Sequence, residues 1–248
     1  MILETFSYDR EPKKWSVRAL PVLDSDRTLV LVFGATELMD DAAALKELRR
    51  AYPRAHMIGC SSAGEIAGVH VRDGSLSVAV ARFEKTTLAT TSVEVADASG
   101  SFAAGQQLAR RLDKSDLRGV LVLSEGLGVN GSQLVAGLNS VLPESVVVTG
   151  GLSGDGTRFQ RTWVCVGDKV QRGIVAAVGF YGDHVVIHHG SKGGWDKFGP
   201  ERVITRSEAN VLYELDGKPA LALYKEYLGE KAAELPASGE SADAIACS

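Results

Sequence analysis

Cysteine is scarce: Cys60, Cys165 and Cys247 are the only three in a chain of 248 residues. An odd number this small builds no disulfide framework, and without a C-x-x-C pair it offers no zinc site, so a reducing compartment fits best. No apolar run approaches the roughly 20 residues that a membrane helix needs, which argues against an integral membrane protein. A cationic surplus is missing too. Twenty-seven basic residues stand against thirty-one acidic ones, a formal charge of −4, so the phosphate backbone of a nucleic acid is not an expected partner. The first fifteen residues mix Glu4, Asp9, Arg10, Glu11 and two lysines with few apolar ones. They contain neither the apolar stretch of a signal peptide nor a transit peptide, and a cytoplasmic protein is the expectation.

What is present is a repeating alternation of strand-like and helix-like segments. Thr28 to Phe33 is a short β-branched apolar run of the kind buried on both faces. Asp40 to Tyr52 reads as a helix that Pro53 stops, and Ala55 to Ile58 as the next strand. Leu76 to Phe83 and Thr87 to Val95 read as a hairpin about Glu84-Lys85, and Phe102 to Leu112 as a helix. The pattern then restarts: strand Val120 to Leu123, helix Ser132 to Leu142 before Pro143, and strand Ser145 to Thr149. Arg161 to Val166, Ile174 to Phe180 and His184 to His189 follow as further strands. LVLVF aligns with GVLVL, and MIGCSSAGEI with VTGGLSGDGT, at an offset of about 90 residues. This spacing predicts duplicated strand-helix-strand units, about 28–95 and 119–190, in a layered mixed-sheet α/β domain. After it, Val211 to Leu215, a turn at Asp216-Gly217 and a helix from Pro219 to near Gly229 begin a partial C-terminal domain over 191–230, and 236–248 reads as a disordered tail.

Two glycine- and serine-rich turns follow the second strand of each unit. In the first, Gly59, Cys60, Ser61, Ser62, Gly64 and Glu65 are candidate ligand contacts, and the Ser62–Glu65 spacing is that of a capping box, predicting a helical turn whose free N–H groups attract anions. In the second, Gly150, Gly151, Ser153, Gly154 and Asp155 are the matching candidates. Ligands of α/β sheets sit beyond the carboxyl ends of strands, so the two turns are expected to face one cleft. Tight strand exits without a ligand are the plainer reading. A hydrolase-like nucleophile, Cys60 or Ser61, is a further alternative because the segment approaches G-x-S-x-G, although Ala63 replaces its last glycine. His184, His188 and His189 crowd into one predicted strand. There alternation places His189 with Val185 and Ile187 on the core side, where it is either hydrogen-bonded structure or an axial ligand.

At these residues the chain resembles the FIST family of bacterial sensory domains. Gly59 to Ile66 matches its G-C-S-S-A-G-E-I segment and Gly150 to Asp155 its G-G-x-x-G-D turn. His189-Gly190, Thr205-Arg206, Glu208, Asn210, Tyr213, Leu215-Asp216-Gly217 and Pro219-Ala220-Leu221 match the start of the family's C-terminal part, so the likeness spans about 28–230. The resemblance implies a cytoplasmic signal-input module without catalytic chemistry. It binds a small ligand, an amino acid or similar anion, and relays its presence to a signalling partner. In some members the cofactor is haem, which senses nitric oxide for a histidine kinase or a cyclic-di-GMP enzyme; His189 or His188 would then be the axial ligand. Family chains continue through a complete C-terminal domain, whereas the apolar pattern here stops soon after Gly229, as expected of a shortened form.

Overall fold

The computed structural model describes residues 1–112, 115–193, 199–208, 211–234 and 245–246. They form two compact units, Met1–His189 and Gly190–Ser248.

Among the described residues the first unit has thirteen strands and three α-helices in chain order: β1 Ile2–Asp9, β2 Lys14–Trp15, β3 Thr28–Gly34, α1 Ala43–Ala51, β4 His56–Ser61, β5 Glu65–Ala67, β6 His70–Arg72, β7 Ser75–Arg82, β8 Thr87–Glu94, α2 Ser101–Leu112, β9 Leu117–Ser124, α3 Gly131–Asn139, β10 Val147–Leu152, β11 Val164–Val166, β12 Lys169–Gln171 and β13 Ile174–Tyr181. One sheet runs β12-β11-β4-β3-β7-β1-β2 and the other β10-β9-β13-β8, while β5 and β6 form a separate hairpin. Alternation along the strands sorts the core into three. Val30, Val32, Met57, Val78 and Val80 face α1, whose buried stripe is Ala44, Leu45 and Leu48. Val120, Val122, Val175 and Ala177 face Leu108 of α2 and Leu134 and Leu138 of α3. Leu29, Ile58, Cys60, Leu123, Ala176, Val178 and Phe180 meet between the sheets. Helix, sheet, sheet and helix therefore stack as four layers, the arrangement that lets every amphipathic face bury its apolar side.

The repeat is carried by register as well as by order. Parallel partners Leu29↔His56 in β3–β4 become Gly119↔Val147 in β9–β10, shifts of 90 and 91 residues. Antiparallel partners Asp9↔Ser75 in β1–β7 become Glu94↔Ile174 in β8–β13, shifts of 85 and 99. The path β4-β3-β7-β1 thus corresponds strand for strand to β10-β9-β13-β8.

Several expectations change. The segments around Glu84-Lys85 are not a hairpin: β7 pairs with β3 and β1, β8 pairs with β13, and the turn hands the chain from one sheet to the other. The N-terminal segment, which carries no strand signal strong enough to read, is β1 inside the first sheet. Only the end of β1, Phe6 to Tyr8, is buried, so alternation is visible over too few residues. His184 to His189 forms no strand. Val185 and Ile187 do lean onto the inter-sheet core, but the segment lies over the face of β9, where Ile187 covers Gly119, and not at an edge where it could pair; His189 is exposed, not core-facing.

The second unit contains β14 Ile204–Glu208, β15 Val211–Leu215, β16 Lys218–Pro219, helix α4 Ala220–Leu228 and β17 Ile245–Ala246. Asp216 anchors its turn, accepting from Val203 N at 2.9 Å and from Arg202 Nη1 at 3.0 Å. Asn210 and Cys247 lie outside the described residues. So does most of the 236–248 tail, of which only Ile245–Ala246 is described, paired with Val211 and Leu212.

Candidate functional site

A cavity of about 370 Å³ opens at the carboxyl ends of β3 and β4. Its walls come from four places: Ala35 and Glu37 after β3, Ser62 to Glu65 after β4, Asp73-Gly74 before β7, and Asp155 to Arg158 from the link between β10 and β11; Arg10, after β1, completes it. The two glycine- and serine-rich turns do meet. Gly154 N donates to Ser61 O at 3.0 Å, and a Cβ on Gly154 would stand 3.3 Å from Ala63 N, so a small residue lets the turns lie against each other.

The predicted residues divide by role. Ser62, Gly64, Glu65 and Asp155 line the cavity. Gly59, Cys60 and Ser61 lie within β4. Cys60 is 4% exposed in the inter-sheet core, where burial pushes its thiol up to about 12, so no thiolate nucleophile is available there near neutral pH. Ser61 Oγ accepts from Trp163 N at 3.0 Å, and Ser61 N donates to Trp163 O at 2.9 Å, a structural seam between the two repeats. Gly150 and Gly151 lie away from the cavity, on a separate groove of about 280 Å³ lined also by Leu134, Val135, Leu138, Leu152 and His189. Ser153 is buried, and its Oγ has no partner among the described residues.

The Ser62–Glu65 spacing is used, but not as a helix cap. Ser62 Oγ donates to Glu65 Oε1 at 2.8 Å, while Glu65 Oε2 accepts from Ser75 N at 3.1 Å and Ser75 Oγ at 3.0 Å. Glu65 starts strand β5, so the helical turn and its free N–H groups are absent, and the carboxylate instead clamps the hairpin to the head of β7. Burial raises the Glu65 carboxyl above its ordinary range, with the three hydrogen bonds pulling the other way. Asp155 plays the corresponding part in the second turn. Burial pushes its carboxyl up, but N–H groups of Phe159, Gln160 and Arg161, at 2.8 to 3.0 Å, outweigh that and leave it lowered. They also hold Phe159 at φ +50, a left-handed conformation uncommon for an aromatic residue.

The charged groups facing the cavity were mostly not foreseen. Arg158 donates to Glu37 Oε1 through its guanidinium and to Asp155 O at 2.8 Å, and Arg10 Nη1 lies 3.8 Å from Glu37 Oε2. Two guanidiniums thus converge on one carboxylate, which the hydrogen bond from Arg158 holds below its ordinary range. Asp73 adds a further carboxylate to the lining, beside the hydrogen-bonded Glu65 and Asp155. Such a set supplies donors for a carboxylate and acceptors for an ammonium group. Arg158, three residues past Asp155 in the second turn, was the readable clue; Arg10, Glu37 and Asp73 come together only through the fold. Glu125 was also missed. Buried just beyond β9, it accepts from Gly128 N at 2.6 Å and Thr162 Oγ1 at 2.7 Å, fastening the far end of the link.

The groove beside β10 is where haem would have to sit. His189 lines it and His188 does not, yet its volume is less than a porphyrin occupies and its one imidazole is exposed. The residues present do not enclose that group. Among the described residues no group of three or more His, Cys, Asp or Glu side chains could hold a metal ion, and no helix is long and apolar enough to cross a membrane.

Comparison with curated proteins gives no match. A family profile described as FIST N domain matches residues 28–218, which covers both repeats from β3 onward, the two turns and the cavity walls apart from Arg10. With more than half of the chain matched, it belongs to the FIST N domain family of sensory, signal-transducing domains.

Proposed function

We propose that the cavity binds a small zwitterion of the amino-acid class and that the protein reports its occupancy to a signalling enzyme, such as a histidine kinase or a cyclic-di-GMP enzyme. The convergence of Arg10 and Arg158 on Glu37 carries this reading. A ligand carboxylate entering there exchanges an internal ion pair for its own charge-assisted hydrogen bonds, leaving Glu37 and Asp73 to receive an ammonium group. The volume, about 370 Å³, suits a molecule of that size. Relay has a structural route as well. Gly64-Glu65 and Asp73-Gly74 are the two feet of hairpin β5–β6, so a ligand between them touches both ends of one element.

A thermal-shift screen of amino acids tests the reading, because a ligand at a hundred times its Kd stabilises the native state by about 2.7 kcal/mol. At least one should raise Tm, and Arg158→Ala should weaken its binding by about 10- to 100-fold, the worth of a charge-assisted hydrogen bond. No stabiliser among zwitterionic ligands, or one indifferent to both Arg158→Ala and Arg10→Ala, would sink the proposal. An intense Soret band in protein from haem-sufficient cells, lost in His189→Ala, would favour nitric oxide sensing through haem instead.

A further inference from the structure

The repeat leaves one edge covered and its counterpart open. In the first sheet the outer edge of β4 is taken by hairpin β11–β12, with Val164↔Cys60 and Cys165↔Gly59 as antiparallel partners. The equivalent strand in the second sheet is β10, whose outer edge pairs with no strand among the described residues, and whose last three residues are exposed. Beside it lies the mainly apolar groove of Leu134, Val135, Leu138 and Leu152. A bare strand edge next to apolar surface is a template for pairing with another chain.

The element that would cover β10 by equivalence is hairpin β5–β6, since shifting Glu65–Ala67 and His70–Arg72 by 99 residues gives Val164–Val166 and Lys169–Gln171. This hairpin joins neither large sheet, and it exposes Ile66, Val69 and Val71, Val69 by 93%. It cannot reach β10 of its own chain while clamped at Glu65, because only Ser62 to Gly64 separate it from β4, whereas Ser153 to Trp163 separate β11 from β10. Three extended residues span at most about 11 Å, roughly the distance between packed sheets and too little to go on to a far edge.

We propose that hairpin β5–β6 of one copy of this chain docks on the β10 edge of a second copy, adding β6 as a strand and burying Val69 and Val71 against the groove. The outer side of β5, the counterpart of the β11 edge that pairs with β4, is already engaged, with Ser77 Oγ donating to Ile66 O at 2.6 Å, so β6 takes its place and presents the edge that pairs. The contact is heterologous, one surface against a different one. It stands apart from the ligand reading, because neither Val69 nor Val135 lines the cavity.

Light scattering on the full-length chain tests it. At about 1 mM, where even a weak interface is half formed, the wild type should exceed monomer mass. Val69→Asp on the hairpin and Val135→Asp beside β10, both at exposed positions, should each lower that mass to or toward the monomer. Mixed in equal amounts, the two variants should restore a dimer, since each keeps the surface the other lost. A monomeric wild type overturns the proposal, as an unrelated chain or small apolar molecule in the groove would leave it. Association untouched by either variant, or two dissociating variants that do not rescue each other, overturns it too.

Discussion

The two repeats share register residue by residue, yet they spend the link after their second strand differently. In the first, Ser62 to Gly64 is short, and hairpin β5–β6 stays with its own half, clamped by Glu65. In the second, Ser153 to Trp163 is long enough to cross over, wrap the cavity and deliver hairpin β11–β12 to the other sheet. On the way it places Trp163, fully buried, among the side chains under α1, with Nε1 donating to Ala35 O at 3.2 Å. Equal cores therefore do not imply equal roles. The short link makes a foot for a clamped hairpin, and the long one makes a strap that joins the halves and carries Arg158 to the cavity.

The strongest way to break this comparison is to remove the peg that ends the strap. Trp163→Ala should destabilise by about 3–5 kcal/mol, the cost of truncating a large buried aromatic side chain, read as a lower midpoint of urea unfolding. Because the peg belongs to the second repeat and its socket to the first, the loss should fall on both halves in one transition. Separate transitions for the two sheets would mean that the strap does not couple them.

Much of this architecture was legible because β3, β9 and their helices are short, apolar and bounded by Gly34, Pro53 and Pro143, where local chemistry and burial agree. β1 was not, since four of its eight residues are exposed at one end. Nor was the partition of β7 and β8 into different sheets, because a turn signal at Glu84-Lys85 carries no information about which strands lie nearby. Half of the site was visible as two glycine-rich turns. The other half, Arg10, Glu37 and Asp73, is ordinary charge on ordinary loops until five segments converge. The capping-box spacing misled for a physical reason: a Ser–Glu pair three residues apart also fits a carboxylate that binds Ser75 on a neighbouring strand.

Asp155→Asn sharpens the comparison from within the strap. The carboxylate accepts from three backbone N–H groups, and an amide offers one oxygen and turns donors toward donors, so a loss of about 2–4 kcal/mol is expected. The pH dependence has a definite sign. With its folded-state value lowered, Asp155 contributes stability that is present above the ordinary 3.8 and lost as pH falls through the folded value. Unfolding midpoints measured down through that window should fall less steeply in the variant than in the wild type.

Glu65 should behave in the opposite sense. Its folded-state value is raised, so the stability it contributes is fully present below the ordinary 4.5 and is lost as pH rises through the folded value. Glu65→Gln keeps an acceptor and removes the charge, and its stability should stay level across that rise while the wild type declines. A variant that declines in parallel would show that the clamp does not titrate there.

The smallest effect is expected at the position where the repeats differ most. Register makes Gly151 the counterpart of Cys60, since Leu123 faces the one and Phe33 the other. Cys60 is sealed between the sheets, whereas Gly151 lies on the open edge, where an added Cβ would meet nothing within 4 Å. Its neighbour Gly150 is different, held at φ +146 with Val122 O only 1.8 Å from where a Cβ would stand. Gly151→Ala should therefore change stability by no more than about 0.5 kcal/mol, with any gain coming from reduced freedom of the unfolded chain. Binding of a zwitterion in the cavity should be unaltered, because Gly151 belongs to the groove beside β10. If titration calorimetry instead shows weaker binding in a stably folded Gly151→Ala, the second turn acts on the ligand through β10, and the division of labour between strap and edge drawn from the two repeats is wrong.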